Sequence, residues 1–508
     1  MVREILSPWL LFQDTCSKYS QNIMLIHNSK QYTYHLIYKR ILYLEEVISL
    51  FSFNIAGMYL PNSPDFISWM LAINKISKPV AYLSYQFRGE VLAEMINYTD
   101  VDVLITDDHG YSEIQKLEDK VCVSFVIVMK DDGGIDIVPV SNINFSKRTL
   151  NNDTFGICFT SGSTSRPKGI VLSNKAITGN AVAVANYLGF TSNDRTLIPR
   201  SLAQASPISG DILMAISEGG SIVILNDLFH PGIFLKAIEQ CQPTTIFMIR
   251  TMLSQVLYYP HLQNYNIDSL KRILLGGMIN PKHIFEQATL KLPGVALYNA
   301  YGISEASARV TFACPEQLIR HPGTIGKPMK GCNIRILRED GSEAAVGEIG
   351  EIYVKSDYIM DGYYKSDELT RLSLTKEGLR TRDTGYYDAE GLFYVVGRSD
   401  DLMIQGGNKV YPIDIEEVLL KHPSISEVVV FGVPDDVLGK RIVALIVANN
   451  SKNANISDIY KYCRQHLEDK KVPKEMYIID KIPRNITGKI SRKELVDFYI
   501  NNIINERT

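Results

Sequence analysis

Apolar and polar positions alternate along this chain in a way that predicts strands interleaved with helices. Short apolar runs, which are typical of buried strands, lie at residues 55–60, 101–105, 221–225, 244–248 and 273–275. These runs stand beside segments with helical spacing, of which residues 66–75 are an example. This alternation favours largely parallel sheets, so we predict an α/β fold.

The pattern changes from about residue 323, where strand-like segments at 333–338 and 348–356 are separated by a turn-rich stretch. We predict a β-rich subdomain over about residues 323–399, which completes an N-terminal domain of residues 1–399. Residues 400–508 have strand patterns at 427–432 and 441–448 together with helical segments. We predict that they form a small α+β C-terminal domain.

Composition and net charge indicate the general class of protein and its partners but not the reaction. The chain has 508 residues, of which 45% are hydrophobic and 21% charged, as in an ordinary globular protein. Its net charge of −3 gives no general attraction to nucleic acid or to an anionic membrane. We therefore expect small molecules or a carrier as partners, and no nucleic acid.

Cysteine spacing and hydropathy indicate the compartment. The seven cysteines are scattered, contain no Cys-x-x-Cys pair and do not cluster with the nine histidines. We expect reduced thiols rather than a disulfide framework or a zinc site. No run of about 18 apolar residues occurs, and the N-terminus lacks the apolar stretch of a signal peptide. We predict a cytoplasmic protein with no integral membrane segment.

The most informative segment is residues 160–169, Thr-Ser-Gly-Ser-Thr-Ser-Arg-Pro-Lys-Gly, which follows an apolar strand pattern. Hydroxyls and backbone N–H groups can donate to phosphate, glycine allows close approach, and lysine adds positive charge. The spacing does not fit a Walker A loop. Because strand and helix patterns flank it closely, we interpret it as a phosphate-binding loop rather than a flexible linker.

This loop resembles the signature loop of the adenylate-forming superfamily, which comprises acyl- and aryl-CoA synthetases, peptide-synthetase adenylation domains and luciferase. One residue departs from the pattern, since Ser165 stands where the family usually has glycine. The resemblance implies that ATP phosphates are bound by Thr160, Ser161, Gly162, Ser163, Thr164 and Lys168.

Residues 299–305, Asn-Ala-Tyr-Gly-Ile-Ser-Glu, are similar to a second motif of that family. The resemblance implies that Asn299, Tyr301 and Gly302 belong to the nucleotide site, with Tyr301 stacked on adenine. It also implies that the Ser304 hydroxyl contacts phosphate and that Glu305 helps to hold Mg²⁺. A carboxylate in this role suits Mg²⁺, which usually takes one or two carboxylates together with phosphate oxygens.

Three later segments resemble family motifs in the expected order. Asp383, in Thr-Arg-Asp-Thr-Gly, corresponds to an aspartate that accepts hydrogen bonds from both ribose hydroxyls, although Arg382 replaces the usual glycine. Arg398 would contact ribose or phosphate. Asp400 corresponds to the hinge about which a mobile C-terminal domain rotates. Lys489 corresponds to a catalytic lysine that bridges the acyl carboxylate and the α-phosphate and so stabilises the transition state.

The segment after the predicted hinge bears on the acceptor. Its Gly-Gly-x-x-x-x-Pro-x-x-Ile-Glu form resembles acyl- and aryl-CoA ligases more than peptide-synthetase domains. The resemblance implies that backbone near Gly406 and Gly407 lines the passage for a pantetheine thiol.

The resemblance also implies an acid pocket built from residues 204–209, 247–252, 276–278 and 299–308. The lining residues that we predict are Gln204, Ala205, Arg250, Gly276, Gly277 and Met278. Arg250 stands where proline is frequent, and it either pairs with a second polar group of the acid or is a surface or helix-capping residue. Relatives often have a histidine or aromatic within the segment that corresponds to residues 200–207, and this chain has none there.

An ordinary α-amino acid is not expected as the substrate. Relatives that activate α-amino acids hold the substrate ammonium with an aspartate, and none stands at the corresponding position. The nearest candidate, Asp211, comes several residues late.

We predict an AMP-forming carboxylate ligase: ATP·Mg²⁺ and a small carboxylic acid give an acyl-adenylate, and a thiol then takes the acyl group. The thiol belongs to CoA or to the phosphopantetheine of a carrier protein, and an amide-forming ligase is a further alternative. A silent nucleotide-binding regulator is the alternative outside enzymes. The joint presence of Lys168, Glu305, Asp383 and Lys489 favours the enzyme, and the oligomeric state stays open.

Overall fold

The computed structural model describes residues 7–117, 120–140, 150–160, 167–226, 229–277, 280, 282–405, 408–435, 439–449, 454–484 and 490–504. The side chains of residues 160, 408, 409 and 504 lie outside this description.

The strands within these residues are numbered in chain order. They are β1 (Ile23–His27), β2 (Lys30–Thr33), β3 (Ala56–Tyr59), β4 (Val80–Tyr82), β5 (Val103–Asp107), β6 (Phe125–Met129), β7 (Ile135–Pro139), β8 (Thr154–Thr160), β9 (Lys168–Ser173), β10 (Arg195–Ile198), β11 (Ser221–Ile224), β12 (Thr245–Met248), β13 (Arg272–Leu275), β14 (Ala296–Tyr301), β15 (Thr311–Ala313), β16 (Lys327–Pro328), β17 (Cys332–Leu337), β18 (Gly350–Ser356), β19 (Gly362–Tyr363), β20 (Leu374–Thr375), β21 (Gly378–Tyr387), β22 (Phe393–Arg398), β23 (Met403–Gln405), β24 (Asn408–Val410), β25 (Ile425–Asp435), β26 (Gly439–Ala448) and β27 (Glu475–Ile478).

The α-helices are numbered in the same way. They are α1 (Pro8–Tyr19), α2 (Tyr34–Ile48), α3 (Pro64–Lys75), α4 (Gly89–Tyr98), α5 (Asp108–Gln115), α6 (Asn174–Leu188), α7 (Ala205–Pro207), α8 (Met214–Glu218), α9 (Pro231–Cys241), α10 (Arg250–Leu257), α11 (Lys282–Lys291), α12 (Pro315–Arg320), α13 (Asp367–Ser373), α14 (Pro412–Leu419), α15 (Ile456–His466) and α16 (Arg492–Phe498). None of these helices combines the length and apolar character needed to cross a membrane.

Two large sheets carry the N-terminal part of the chain. One has the strand order β16-β15-β14-β13-β12-β10-β11-β1-β2, and the other has the order β19-β9-β8-β4-β3-β5-β6-β7. Their inner strands pair in parallel, while the edge pairs, such as β14 with β15 and β8 with β9, are antiparallel. The predicted α/β fold with largely parallel sheets is confirmed.

Helix α3 shows why both sheets belong to one body. Ser63 accepts a hydrogen bond from the N–H of Phe66 and so caps the helix, and Pro64 occupies its first turn. Residues 66–74 are all buried, because apolar side chains from both sheets pack around the helix in one core. A helix that is apolar on every side is stable only when it is enclosed in this way.

Two smaller sheets follow along the chain. The antiparallel sheet β17-β18-β21-β20, with β22 on β21, uses strands between residues 332 and 398. The sheet β24-β23-β26-β25, with β27 on β26, uses strands from residue 403 onwards. A large α/β part with a small α+β part after it agrees with the predicted fold class. The domain boundaries at residues 323 and 399 and the hinge at Asp400 stay predictions.

Candidate active site

Four neighbouring parallel strands, β10, β12, β13 and β14, end at the same edge of the first sheet. The residues just beyond these ends are 199–204 after β10, 249–250 after β12, 276–277 after β13 and 302–306 after β14. The carboxyl edge of a parallel sheet is the usual ligand site of open α/β folds. The topology therefore brings together the predicted pocket segments and the predicted nucleotide motif.

Tyr301, Asp383 and Arg398 form a bonded group at this edge. The Tyr301 hydroxyl donates to the Asp383 carboxylate at 2.6 Å, and the Arg398 guanidinium donates to the other oxygen of that carboxylate at 3.3 Å. Asp383 is 7% exposed. Burial raises the pKa of Asp383 above its usual value, and Arg398 opposes this shift. The group joins β14 of the first sheet to β21 and β22 of the third.

Arg382, where the family usually has glycine, has a φ of +63°. Glycine adopts this left-handed conformation without cost, whereas another residue pays roughly 1–2 kcal/mol. The Arg382 guanidinium lies 3.6 Å from the Asp400 carboxylate, and the Ser399 hydroxyl donates to the Arg382 carbonyl at 3.1 Å. The side chain and the carbonyl of Arg382 are thus both in contact with the segment that follows β22, at the position where the backbone is strained.

Glu305 and Lys168 come together around a tyrosine that the sequence analysis did not single out. The Tyr363 hydroxyl donates to the Glu305 carboxylate at 2.8 Å, and the Lys168 ammonium lies 5.9 Å from the centre of the Tyr363 ring. Lys168 begins β9, directly opposite Thr160 at the end of β8. Burial lowers the pKa of Lys168, and the charge of Arg382 adds to that shift.

The other predicted residues of the second motif have distinct surroundings. A Cβ atom at Gly302 would lie 1.6 Å from the Ala308 carbonyl oxygen, so only glycine fits there. Asn299 is buried, donates to the Thr324 carbonyl at 2.8 Å and accepts from Asn280 at 3.0 Å. Ser304 opens a short 3₁₀ turn, Ser304–Ala306, and is half-buried.

Asp400 and Asp401 bond to different parts of the molecule. Asp400 lies 3.6 Å from Arg382 and 3.9 Å from Arg398, both in the third sheet. Asp401 accepts from Arg492 of α16 at 2.8 Å, and the same guanidinium donates to Glu416 of α14 at 2.7 Å.

In the segments of the predicted acid pocket, several groups pack around the ring of Phe247. A Cβ atom at Gly276 would lie 2.8 Å from its ring, so the absence of a side chain there lets the ring approach β13. The guanidinium groups of Arg309 and Arg200 lie 3.9 and 4.3 Å from the centre of the same ring. The Ser206 hydroxyl accepts from both, at 2.7 and 2.9 Å.

Asp211 belongs to this group. It is 2% exposed and accepts a hydrogen bond from Arg200. Its carboxylate is therefore paired with an arginine of the protein itself. Burial raises the pKa of Asp211, and the two arginines oppose the shift.

Sequence reasoning missed Arg200, Arg309 and Tyr363 as site residues. A signal existed for the two arginines, because each is a charged residue directly beside an apolar run that ends or begins a strand. Tyr363 had no such signal, since its contact with Glu305 joins residues 58 positions apart.

The remaining predicted pocket residues are distributed as follows. Ala205 is buried at the start of α7, while Gln204 and Gly277 are exposed. Arg250 begins α10, and its electrostatic neighbours are Glu416 and Glu427, which belong to α14 and β25. The structure thus puts Arg250 beside the C-terminal part of the chain, and its role as a pocket residue stays a prediction.

Several predicted residues lie outside the described residues. They are Ser161, Gly162, Ser163 and Thr164 of the phosphate loop, Met278 of the pocket, Gly406 and Gly407 of the thiol passage, and the catalytic Lys489.

The sequence matches two known protein-family models. Residues 12–364 match the AMP-binding enzyme family, and residues 414–489 match the AMP-binding enzyme C-terminal domain. A 2-succinylbenzoate–CoA ligase of Bacillus velezensis is 30% identical over 479 residues, which cover 94% of this chain and 95% of the relative.

Solved structures extend the comparison. The o-succinylbenzoate CoA synthetase of Bacillus subtilis, in complex with its acyl-adenylate intermediate, has a TM-score of 0.82 at 26% identity, with 96% of this chain and 98% of that chain covered. The anthranilate CoA ligase AuaEII, in complex with anthranoyl-AMP, has a TM-score of 0.88 at 20% identity, with 97% of each chain covered, and shows the fold alone.

The predicted activity class is confirmed by these relatives: the chain is an AMP-forming acid–thiol ligase that activates a carboxylic acid with ATP. The chain belongs to the family of AMP-binding enzymes.

Proposed function

We propose that this enzyme joins its acid to coenzyme A, and that the acid is 2-succinylbenzoate or a dicarboxylic acid of similar size. The observation that carries the proposal is the similarity, over 94% of the chain, to a ligase named for that acid and that thiol. The Tyr301–Asp383–Arg398 group, whose carboxylate is buried, supports the nucleotide half of the proposal.

In the adenylation step, a carboxylate oxygen of the acid attacks the α-phosphorus of ATP and pyrophosphate leaves. Asp383 would accept hydrogen bonds from the ribose hydroxyls, which suits a charged acceptor with two oxygens. Tyr301, already bonded to Asp383, would lie beside the base. Lys168 and Arg398 would face phosphate oxygens, where positive charge offsets the approach of two anions.

Glu305 would hold Mg²⁺ at the same site. Mg²⁺ bound to a nucleotide needs few protein ligands, because phosphate oxygens and water supply the rest. The donor set fits: Glu305 is a carboxylate fixed by Tyr363, and the described residues contain no cluster of three metal-binding side chains that would suit a resident metal instead. When bound, the ion would neutralise charge on the phosphates.

In the second step, the thiol of coenzyme A attacks the acyl carbon and AMP leaves. AMP is a far better leaving group than hydroxide, so the thiol can displace it from the adenylate to form the thioester. Lys489 would act in the first step, and the backbone at Gly406 and Gly407 would line the thiol path in the second. Asp400 would be the point at which the C-terminal domain turns between the two steps.

The test is acid-dependent ATP–pyrophosphate exchange, followed by thioester formation, with 2-succinylbenzoate, benzoate, succinate and an α-amino acid. We expect exchange with 2-succinylbenzoate and a CoA thioester as product. Thioester formation on a phosphopantetheinylated carrier but not on CoA would contradict the proposed acceptor. Exchange with other acids but none with 2-succinylbenzoate would contradict the proposed acid.

Changing Tyr363 to phenylalanine should weaken the magnesium site, because the change removes the hydrogen bond that orients Glu305. A lost orienting partner typically costs about 10-fold or more in metal affinity. We expect the Mg²⁺ concentration for half-maximal exchange to rise about 10-fold, with the KM for the acid little changed. Tyr386→Phe, the same change on a strand of the third sheet, is the control, and an equal Mg²⁺ requirement in both variants would contradict the assignment.

A further inference from the structure

Two largely buried arginines lie side by side next to the predicted acid pocket. Arg309 is 4% exposed, and the side chain of Arg200 is 10% exposed. Both guanidinium groups lie on the ring of Phe247, which packs against Gly276 at the carboxyl end of β13. This group is therefore continuous with the wall of the predicted acid pocket.

The hydrogen-bonding capacity of Arg309 is mostly unused. Its Nη1 donates to the Ser206 hydroxyl at 2.7 Å and to the Ala308 carbonyl at 3.5 Å. Among the described residues, its Nε and Nη2 have no hydrogen-bond partner, and neither has Nε of Arg200. Buried guanidinium donors are normally satisfied, so these atoms indicate a missing acceptor.

The charges of the group do not balance. Arg200 and Arg309 carry two positive charges, and Asp211, which pairs with Arg200, carries one negative charge. Burial and the neighbouring Arg200 lower the pKa of Arg309, but a guanidinium stays protonated at neutral pH. A buried charge without a partner is strongly unfavourable, and the ring of Phe247 offsets only part of it.

The backbone holds Arg309 in this position. A Cβ atom at Gly210 would lie 2.9 Å from its Nη2, so the guanidinium lies directly against the backbone of a π-helical turn, Ile208–Leu213. Ala308, which precedes it, has a φ of +94°. Strained backbone is kept where the surrounding structure requires one side-chain position.

We propose that Arg309, together with Arg200, binds a second carboxylate of the acid, which is not the one that is activated. The reacting carboxylate loses its negative charge when it forms the mixed anhydride with AMP. It therefore cannot neutralise the arginines through both steps. A second carboxylate keeps its charge throughout and supplies acceptors for Nε and Nη2. This inference rests on the proposed activation of a dicarboxylic acid and assigns the residues that select it.

The test compares the wild type with Arg309→Met and Arg309→Lys in acid-dependent pyrophosphate exchange. The two substrates are 2-succinylbenzoate and the monomethyl ester that leaves its reacting carboxylate free. In the wild type we expect the KM of the ester to exceed that of the diacid by about 30-fold, which is the effect of a lost charged hydrogen bond. In Arg309→Met this preference should vanish, and Arg309→Lys should restore part of it.

Controls separate recognition from folding. Arg272→Met removes a half-buried arginine of the first sheet, which pairs with Asp194 at the opposite edge. It should keep the preference for the diacid, and all variants should keep the wild-type KM for ATP. Equal losses with diacid and ester in Arg309→Met, or a wild type that does not discriminate between them, would overturn the inference.

The outcome is also separable from that of the proposed function. A wild type that activates monocarboxylic acids but no diacid would overturn the arginine assignment and leave acid activation intact. If no acid supports exchange, the proposed function fails, and calorimetric binding of 2-succinylbenzoate decides the assignment. Binding that is lost in Arg309→Met supports the assignment, whereas absent or unchanged binding overturns it.

Discussion

Replacing Asp383 by alanine should raise the KM for ATP by about 100-fold, because the resemblance implies that this buried carboxylate accepts hydrogen bonds from both ribose hydroxyls. It bonds to the Tyr301 hydroxyl at 2.6 Å and to Arg398 at 3.3 Å. Its loss removes the proposed acceptor for the ribose and leaves the Tyr301 hydroxyl and the Arg398 guanidinium without this partner. The measurement is the ATP dependence of pyrophosphate exchange, with nucleotide binding by calorimetry alongside it.

Asp340→Ala is the matched control for this change. Asp340 is an exposed turn aspartate of the same β-rich region, where it accepts from the N–H and the hydroxyl of Ser342. Its replacement should leave the KM for ATP unchanged. An Asp383→Ala enzyme with normal ATP affinity would show that this carboxylate does not bind the ribose.

Replacing Lys489 by alanine should reduce pyrophosphate exchange by about 100- to 1000-fold, the range for loss of one transition-state donor. The resemblance implies that this lysine acts in adenylation, and we expect it to have no role in thioester formation. Thioester formation from a supplied acyl-adenylate and CoA should therefore stay within about threefold of the wild type, because its transition state makes no use of Lys489. Measuring both half-reactions in the same preparation checks the expected split.

The exposed Lys493 of α16 provides the control, since Lys493→Ala removes a nearby positive charge outside the motif. We expect it to be active in both half-reactions. Equal losses in both half-reactions of Lys489→Ala would contradict a role confined to adenylation.

The fold was predictable where local pattern determines structure. The apolar runs at 221–225, 244–248 and 273–275 became β11, β12 and β13, displaced by at most one residue. The runs at 55–60 and 101–105 became β3 and β5, within two residues at either end. Buried parallel strands are short and continuously apolar, so their positions can be read directly from the sequence.

The residues of the proposed nucleotide site could be named from the sequence, because they stand in motifs with fixed spacing. Tyr301 and Asp383, 82 positions apart, were each named from the sequence, and the structure joins them at 2.6 Å. The position of Arg382 was identified as a departure, but the sequence could not give the left-handed backbone found there.

The acid side was less predictable, because the side chains of the proposed carboxylate site come together through contacts between distant segments. Arg309 is placed in this group by its contacts with Phe247 and Ser206, which lie 62 and 103 positions earlier in the chain. Tyr363 reaches Glu305 because β19 pairs with β9. No local pattern indicates such contacts, so the pocket segments could be predicted from the sequence but Arg200 and Arg309 could not.

Arg398 lies close to both Asp383 and Asp400, at 3.3 and 3.9 Å. Asp400 has two arginine neighbours, Arg382 and Arg398. A nucleotide that binds to Asp383 and draws Arg398 towards its phosphates would remove one of them from Asp400. If the C-terminal domain turns at Asp400, as the resemblance implies, the energy of that turn then depends on the ligand. By thermodynamic linkage the dependence is mutual, so the orientation of the domain would tune how tightly ATP and AMP are held.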